Sequence, residues 1–189
     1  MLRAKPVTTA IKHDKECFQH IQDLYFSAFP RQEQVPLPFL ISKTKKPEMK
    51  FDAFYDGDEF VGLTYTVSRG DVTYLWYLAT RSELRSKGYG AQIMQHLREA
   101  YPNNRIVLNL DIQNPNAPDS EICKRRKEFY IRNGYTTADY KCIFNKNKLD
   151  IMYIGGYVSA DEFAAVFKGF FGPILYLFAK PKMVDSIPV

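Results

Sequence analysis

Trp76 to Ala100 reads WYLATRSELRSKGYGAQIMQHLREA, a strand joined to a helix through a short loop. Thr73 to Thr80 is β-branched and aromatic with no breaker, the composition of a strand. Beyond the loop, Ile93, Met94, Leu97 and Ala100 recur at helical spacing, with Gln92, Gln95, Arg98 and Glu99 between them. The loop centre, Arg85-Ser86-Lys87-Gly88-Tyr89-Gly90, carries two cations and two glycines into the first helical turn. Unpaired amides and the positive end of the helix dipole favour an anion at such a place. Glycine lets the backbone approach that anion without side-chain obstruction. The pattern predicts an anion cradle over residues 85–91. It is not a G-x-x-x-x-G-K-[ST] loop, and it holds two of the three glycines of a dinucleotide fingerprint.

The same residues resemble motif A of the GNAT superfamily of acyl-CoA-dependent N-acetyltransferases, R/Q-x-x-G-x-G/A, with Leu78-Ala79-Thr80 where the family's strand meets its cofactor. Downstream, Arg126 to Tyr135 (RKEFYIRNGY) resembles the family's helix ending in Y-x-x-x-G-[FY]. A weaker likeness, Phe29 to Pro36 (FPRQEQVP), is to an acceptor-side loop of some members. The likeness runs over residues 1–156 and leaves the C-terminal stretch uncovered. It implies that acetyl-CoA is the co-substrate and that no metal takes part. The amides of Arg85, Ser86, Lys87, Gly88, Tyr89, Gly90 and Ala91 would hold the CoA pyrophosphate. Leu78, Ala79 and Thr80 would meet the pantetheine arm through their backbone, and Tyr130 would protonate the leaving thiolate. One departure is plain: Ile122 stands where many members place a CoA-contacting asparagine, with Asn114 and Asn116 further upstream.

Along the chain, Arg3 to Ile11 reads as a first strand, and Asp14 as the N-cap of a helix running to Phe29. Pro36, Pro38 and Pro47 break up the stretch to Met49, predicting a short helix over Phe39 to Ser42 in a mobile, exposed segment. Phe51 to Tyr55 and Phe60 to Ser68 form strands joined at Asp56-Gly57-Asp58. Arg69-Gly70-Asp71 then turns into the cradle strand. Ile106 to Ile112 is the next strand, parallel to it through a right-handed crossover. Asn114 to Asp119 reads as a loop and Glu121 to Asn133 as a helix stopped by Gly134. Tyr140 to Phe144 and Leu149 to Ile154 make a last hairpin across Asn145 to Lys148. The expected fold is a mixed α/β (α+β), mostly antiparallel sheet of six to seven strands, with helices on both faces and one parallel β-α-β crossover. Residues 1–156 form the GNAT-like domain in this reading, and 157–189 a helical extension packed on it or on a dimer partner.

That extension opens with a capping box, Ser159-Ala160-Asp161-Glu162, followed by Phe163, Val166, Phe167, Phe170 and Phe171 at helical spacing. Gly172-Pro173 should break the helix. The apolar run to Ala179 is interrupted by Lys168, Gly169, Gly172 and Pro173 and sits at the short limit for a bilayer span. Packing on protein is the favoured reading, membrane-surface association the lesser one.

A chain of 189 residues suits one domain. With 26 basic against 21 acidic residues, the net charge of +5 suits an anionic cofactor or substrate. Lys43 to Lys46 and Lys124 to Lys127 are too short to argue for nucleic acid, and the aromatics are dispersed rather than set as stacking ladders. Three isolated cysteines without C-x-x-C spacing suggest neither disulfides nor zinc, so a reducing, cytoplasmic location is the default. Met1 to Thr9 lacks the long apolar core of a secretory signal.

Acyl transfer from a thioester to an amine needs a held cofactor, a neutral amine, a stabilised oxyanion and a protonated leaving group. Glu33 and Asp111 are both candidates for the base. The acceptor is a primary amine of a small molecule or a peptide. The rival from another class is a non-catalytic CoA-binding regulatory or interaction module.

Overall fold

Leu2–Pro6 forms the first strand, β1, and Asp14 caps the first helix, α1 (Lys15–Ala28), accepting from the Cys17 amide at 3.1 Å. The structure, a computed structural model, describes residues 2–112, 120–177 and 179–184. The expected strand to Ile11 stops at Pro6 because the Thr8 hydroxyl accepts from Ala10 N–H, turning Thr9–His13 into a 3-10 helix. A short helix, α2 (Leu37–Lys43), precedes the strands β2 (Met49–Asp56), β3 (Glu59–Arg69) and β4 (Val72–Thr80). Then come α3 (Tyr89–Ala100), β5 (Arg105–Asp111), α4 (Ser120–Arg132), β6 (Thr136–Phe144), β7 (Asn147–Ile154), α5 (Ala160–Tyr176) and β8 (Lys182–Val184).

The strand order is β1-β2-β3-β4-β5-β7-β6-β8. β4 and β5 are parallel; β1–β2, β2–β3, β5–β7, β6–β7 and β6–β8 are antiparallel. The eighth strand is the one the sequence pattern hides, three residues that complete an edge by pairing Lys182–Val184 with Lys141–Ile143. The β6–β7 loop closes over Asn145 and Lys146, both at positive φ (50° and 69°), which is the backbone of a two-residue hairpin and shorter than the expected four-residue link. The expected Asn114–Asp119 loop lies outside the described residues.

The chain divides into two compact units, Met1–Val67 with Leu75–Pro102, and Ser68–Tyr74 with Asn103–Val189. In the first, β2 alternates its side chains between two helical layers. Tyr55 donates to Cys17 Sγ of α1 at 3.0 Å, while Phe51 packs edge-on to Tyr65, whose hydroxyl donates to the Leu40 carbonyl of α2. On the other side Phe54 meets His96, and Tyr89 donates to Asp56 at 2.9 Å, both from α3. The proline-rich segment is exposed at Pro36, Pro38 and Pro47 and carries the expected short helix, but side-chain bonds tie it down. Tyr77 donates to the Glu33 carbonyl and accepts from the Val35 amide, Tyr25 donates to the Val35 carbonyl, and Leu37, Leu40 and Ile41 are buried.

The second unit is organised by α5. Phe163, Val166, Phe167 and Phe170 are buried, and Phe167 touches Tyr74, Phe144 and Phe163. The helix start is fixed by the expected capping box and by Arg105, whose guanidinium reaches Asp71 (2.9 and 3.0 Å), Glu162 (2.7 and 3.1 Å) and the Tyr157 carbonyl. Hydrogen bonds from Arg105, then from the Ser159 amide, hold the Glu162 carboxyl at about 2. Gly172 (φ 75°, ψ 168°) is non-helical and interrupts α5 as the Gly172-Pro173 pair predicts, and helical turns resume to Tyr176. On α4, Lys127 reaches Asp150 of β7 at 2.6 Å, and Lys141 of β6 bonds the same carboxylate. Burial pushes the Asp150 carboxyl up, but the two ammonium donors outweigh it and leave it lowered.

Candidate functional site

The loop expected to cradle an anion, residues 85–91, lies within the first unit. Leu84 is buried and pins a 3-10 turn (Ser82–Leu84), after which Arg85 is extended and Arg85, Ser86, Lys87 and Gly88 are exposed. Ser86 takes φ 64° and Gly88 takes φ 85°, so two nearby residues adopt left-handed backbone. A non-glycine residue in that region signals a loop held by its surroundings, a common feature of ligand clamps. Gly88 is the N-cap of α3, and the first helical bond runs from Gln92 N–H to the Gly88 carbonyl at 3.1 Å. The amides of Tyr89, Gly90 and Ala91 precede that bond, so helical geometry gives them no partner inside the helix. The Tyr89 hydroxyl is committed elsewhere, donating to Asp56 at 2.9 Å.

Upstream, the β4–β5 ladder covers only Val72–Tyr74 against Arg105–Val107. Among the described residues, Leu75–Thr80 pair with no residue of β5. Leu78 and Thr80 are half-buried and Ala79 is buried. The strand itself continues past that ladder to Thr80 and leads directly into the glycine-bearing loop. One contributor escaped sequence reading. Gly62 of β3 packs so closely that a β-carbon there would run into the Ala79 carbonyl oxygen and lie 3.3 Å from Thr80 Cα. A lone glycine in an apolar strand is the signal for such an approach.

The remaining candidates are held in different settings. Glu33, in the first unit, is half-buried in a 3-10 turn (Arg31–Glu33) whose carbonyl is fixed by Tyr77. Burial raises the hydroxyls of Tyr25 and Tyr77 above the ordinary phenol range, so both stay protonated hydrogen-bond donors. Asp111, in the second unit, is the last residue of β5, half-buried and paired with Leu149 of β7.

Tyr130, also in the second unit, is 7% exposed and packs against Phe129 and Tyr135. The motif around it is a helix stop. Gly134 takes φ 88°, its N–H bonds the Ile131 carbonyl, and Tyr135 N–H bonds the Tyr130 carbonyl at 3.0 Å. That bond pattern, with an apolar contact between its ends, is a Schellman cap. The tyrosine-to-glycine spacing therefore has a structural cause as well as any chemical one. Burial, slightly offset by Arg126, raises the Tyr130 hydroxyl and keeps its proton on at neutral pH. Ile122, at the departed asparagine position, is 62% exposed. Cys17 and Cys142 are buried, the latter pushed up to about 12 by burial, which makes it an inert thiol. Among the described residues no group of His, Cys, Asp and Glu could hold a metal ion, and no helix is long and apolar enough to cross a membrane.

A mostly antiparallel sheet with one parallel crossover, and a glycine-bearing amide loop at the start of the crossover helix, defines the fold of an acetyltransferase. The chain belongs to the GNAT acetyltransferase family, whose family model, described as acetyltransferase (GNAT) family, matches residues 15–126. Among solved structures it is similar to a GNAT-family acetyltransferase from Bacteroides thetaiotaomicron, at 25% identity and TM-score 0.70 over 92% of this chain and 98% of that one. An acetyltransferase from Bacillus subtilis in complex with CoA shares the fold at 14% identity and TM-score 0.58, over 83% and 100% of the two chains. Spermidine N-acetyltransferase from Vibrio cholerae does so at 12% identity and TM-score 0.57, over 81% and 92%. No curated protein matches the chain.

Proposed function

We propose that the protein transfers an acetyl group from acetyl-CoA directly to a primary amine of a small molecule or peptide. The observation that carries this reading is the strand–loop–helix junction itself, in which β4 leads into a left-handed Gly88 and the helix-start amides of Tyr89, Gly90 and Ala91 have no partner inside the helix. Backbone groups of Leu78, Ala79 and Thr80 would line an extended arm, and the amides from Arg85 to Ala91 would take its pyrophosphate, with Arg85 and Lys87 adding charge. Acetyl-CoA supplies the activated acyl group. The chain supplies position, a donor for the thioester oxygen and a phenol, Tyr130, for the departing sulfur. Glu33 or Asp111 would take the proton of the amine. Likeness of fold to a CoA complex and to a spermidine acetyltransferase supports the cofactor and the acceptor class. Buried thiols suit the reducing cytoplasm as the setting.

Calorimetric titration with CoA tests the cradle. Gly88→Asp places a carboxylate where the helix dipole favours an anion, and affinity should fall on the order of a hundred-fold, from loss of up to ~2 kcal/mol at the helix start plus like-charge repulsion. Wild-type protein that binds no CoA would sink the reading.

The burial of Tyr130 favours a second reading, a CoA-holding module without turnover. Tyr130→Phe decides between the two. An enzyme using this acid should lose about 100- to 10,000-fold in kcat with CoA affinity unchanged. An unchanged rate removes Tyr130 from the chemistry.

A further inference from the structure

Within α5 exposure changes abruptly at the kink. Phe163, Val166, Phe167 and Phe170 are buried, yet no residue from Pro173 to Leu177 is. Ile174 is 74% exposed, Leu177 76% and Leu175 48%, among the most exposed large apolar side chains of the described residues. The cations around them are exposed too: Lys168 before the kink, and Lys180 and Lys182 after the helix. Arg69 adds a cation on the near side of the kink, its Nη1 donating to the Ala165 carbonyl at 3.1 Å. No acidic residue occurs between Glu162 and Asp185.

We propose that this apolar, lysine-rimmed helix tip seats on an anionic lipid surface. Apolar side chains at the end of a helix enter the headgroup–acyl boundary, while flanking lysines meet the anionic headgroups and keep their stems along the apolar region. The charge pattern selects this occupant. A second copy of the chain would bring like-charged lysine rims together. Three side chains also offer far less than the roughly 800 Å² per partner that a stable protein interface buries. The helix is not a span: the structure anchors Phe163, Val166, Phe167 and Phe170 in a protein core and leaves the apolar side chains of the tip uncovered.

Flotation of the full chain with vesicles tests this, using phosphatidylcholine alone and phosphatidylcholine mixed with phosphatidylglycerol. Binding should be confined to the anionic vesicles and weaken as salt rises. Lys180→Ala/Lys182→Ala should weaken it about thirty-fold, at roughly 1 kcal/mol for each lysine. Ile174→Glu/Leu177→Glu should abolish it; both positions are exposed, so the fold should survive and circular dichroism should be unchanged. Absence of binding to anionic vesicles, or binding retained by the glutamate variant, overturns the proposal. So does a dimer seen by light scattering that the glutamate variant dissolves, since the occupant would then be a second copy.

Discussion

Gly62→Ala should destabilise the first unit and weaken CoA binding together. A methyl group at this position meets the Ala79 carbonyl oxygen, a main-chain atom that cannot swing aside, and crowds Ile93 Cδ1 at 3.3 Å. The only relief is to move β4 relative to β3 at Ala79 and Thr80, the strand end proposed to line the pantetheine arm. Overpacking of this kind costs about 1–3 kcal/mol. In a protein of ordinary stability, ~5–15 kcal/mol, that is a large share. Urea denaturation read beside a CoA titration checks it. A variant with wild-type midpoint and wild-type affinity would show that β4 has slack at this point.

Phe167→Ala should be the most damaging single truncation in the second unit. The ring is 1% exposed and meets Tyr74, Phe144 and Phe163 at centroid distances of 5.1 to 5.3 Å. Deleting a buried phenylalanine costs about 3–5 kcal/mol, the transfer term plus the cavity left behind. For a chain of this size the melting temperature should drop by roughly 10 °C. Differential scanning calorimetry reads this directly. A shift of a degree or two would mean that α5 is peripheral to the core, contrary to its burial.

How much of this was legible beforehand depends on how local each cause is. The strand–loop–helix run was readable because strand composition, glycine, cation and helix period sit side by side from Thr73 to Ala100. Asp14 and Ser159 announced their helices for the same reason, since a cap is satisfied within three residues. The proline-rich segment misled because its order comes from Tyr25 and Tyr77, and the Tyr77 hydroxyl reaches Glu33 and Val35 across more than forty positions. No local pattern encodes such bonds. β6 begins at Thr136, four residues before its apolar alternation, because Thr136 and Thr137 pair with Tyr153 and Met152. β8 is three residues long and gains its identity only from the edge it joins. At Tyr130 the motif was visible, but the Schellman geometry beneath it shows that a spacing can be enforced by the backbone and still leave its chemical use to be measured.

The allocation of Ser68–Tyr74 to the second unit, with the first unit's chain on either side, carries a consequence for biosynthesis. As the polypeptide leaves the ribosome, Val72, Thr73 and Tyr74 emerge long before the segments that bury them. Tyr74 must wait for Phe163 and Phe167, and its neighbours for β5. Until then an apolar strand with one edge unsatisfied hangs from an otherwise finished N-terminal half. Non-local pairing of this sort slows folding and leaves the nascent chain open to wrong partners. A cell making this protein therefore meets its greatest risk of misassembly late in translation, and ribosomes stalled before α5 should carry the most chaperone.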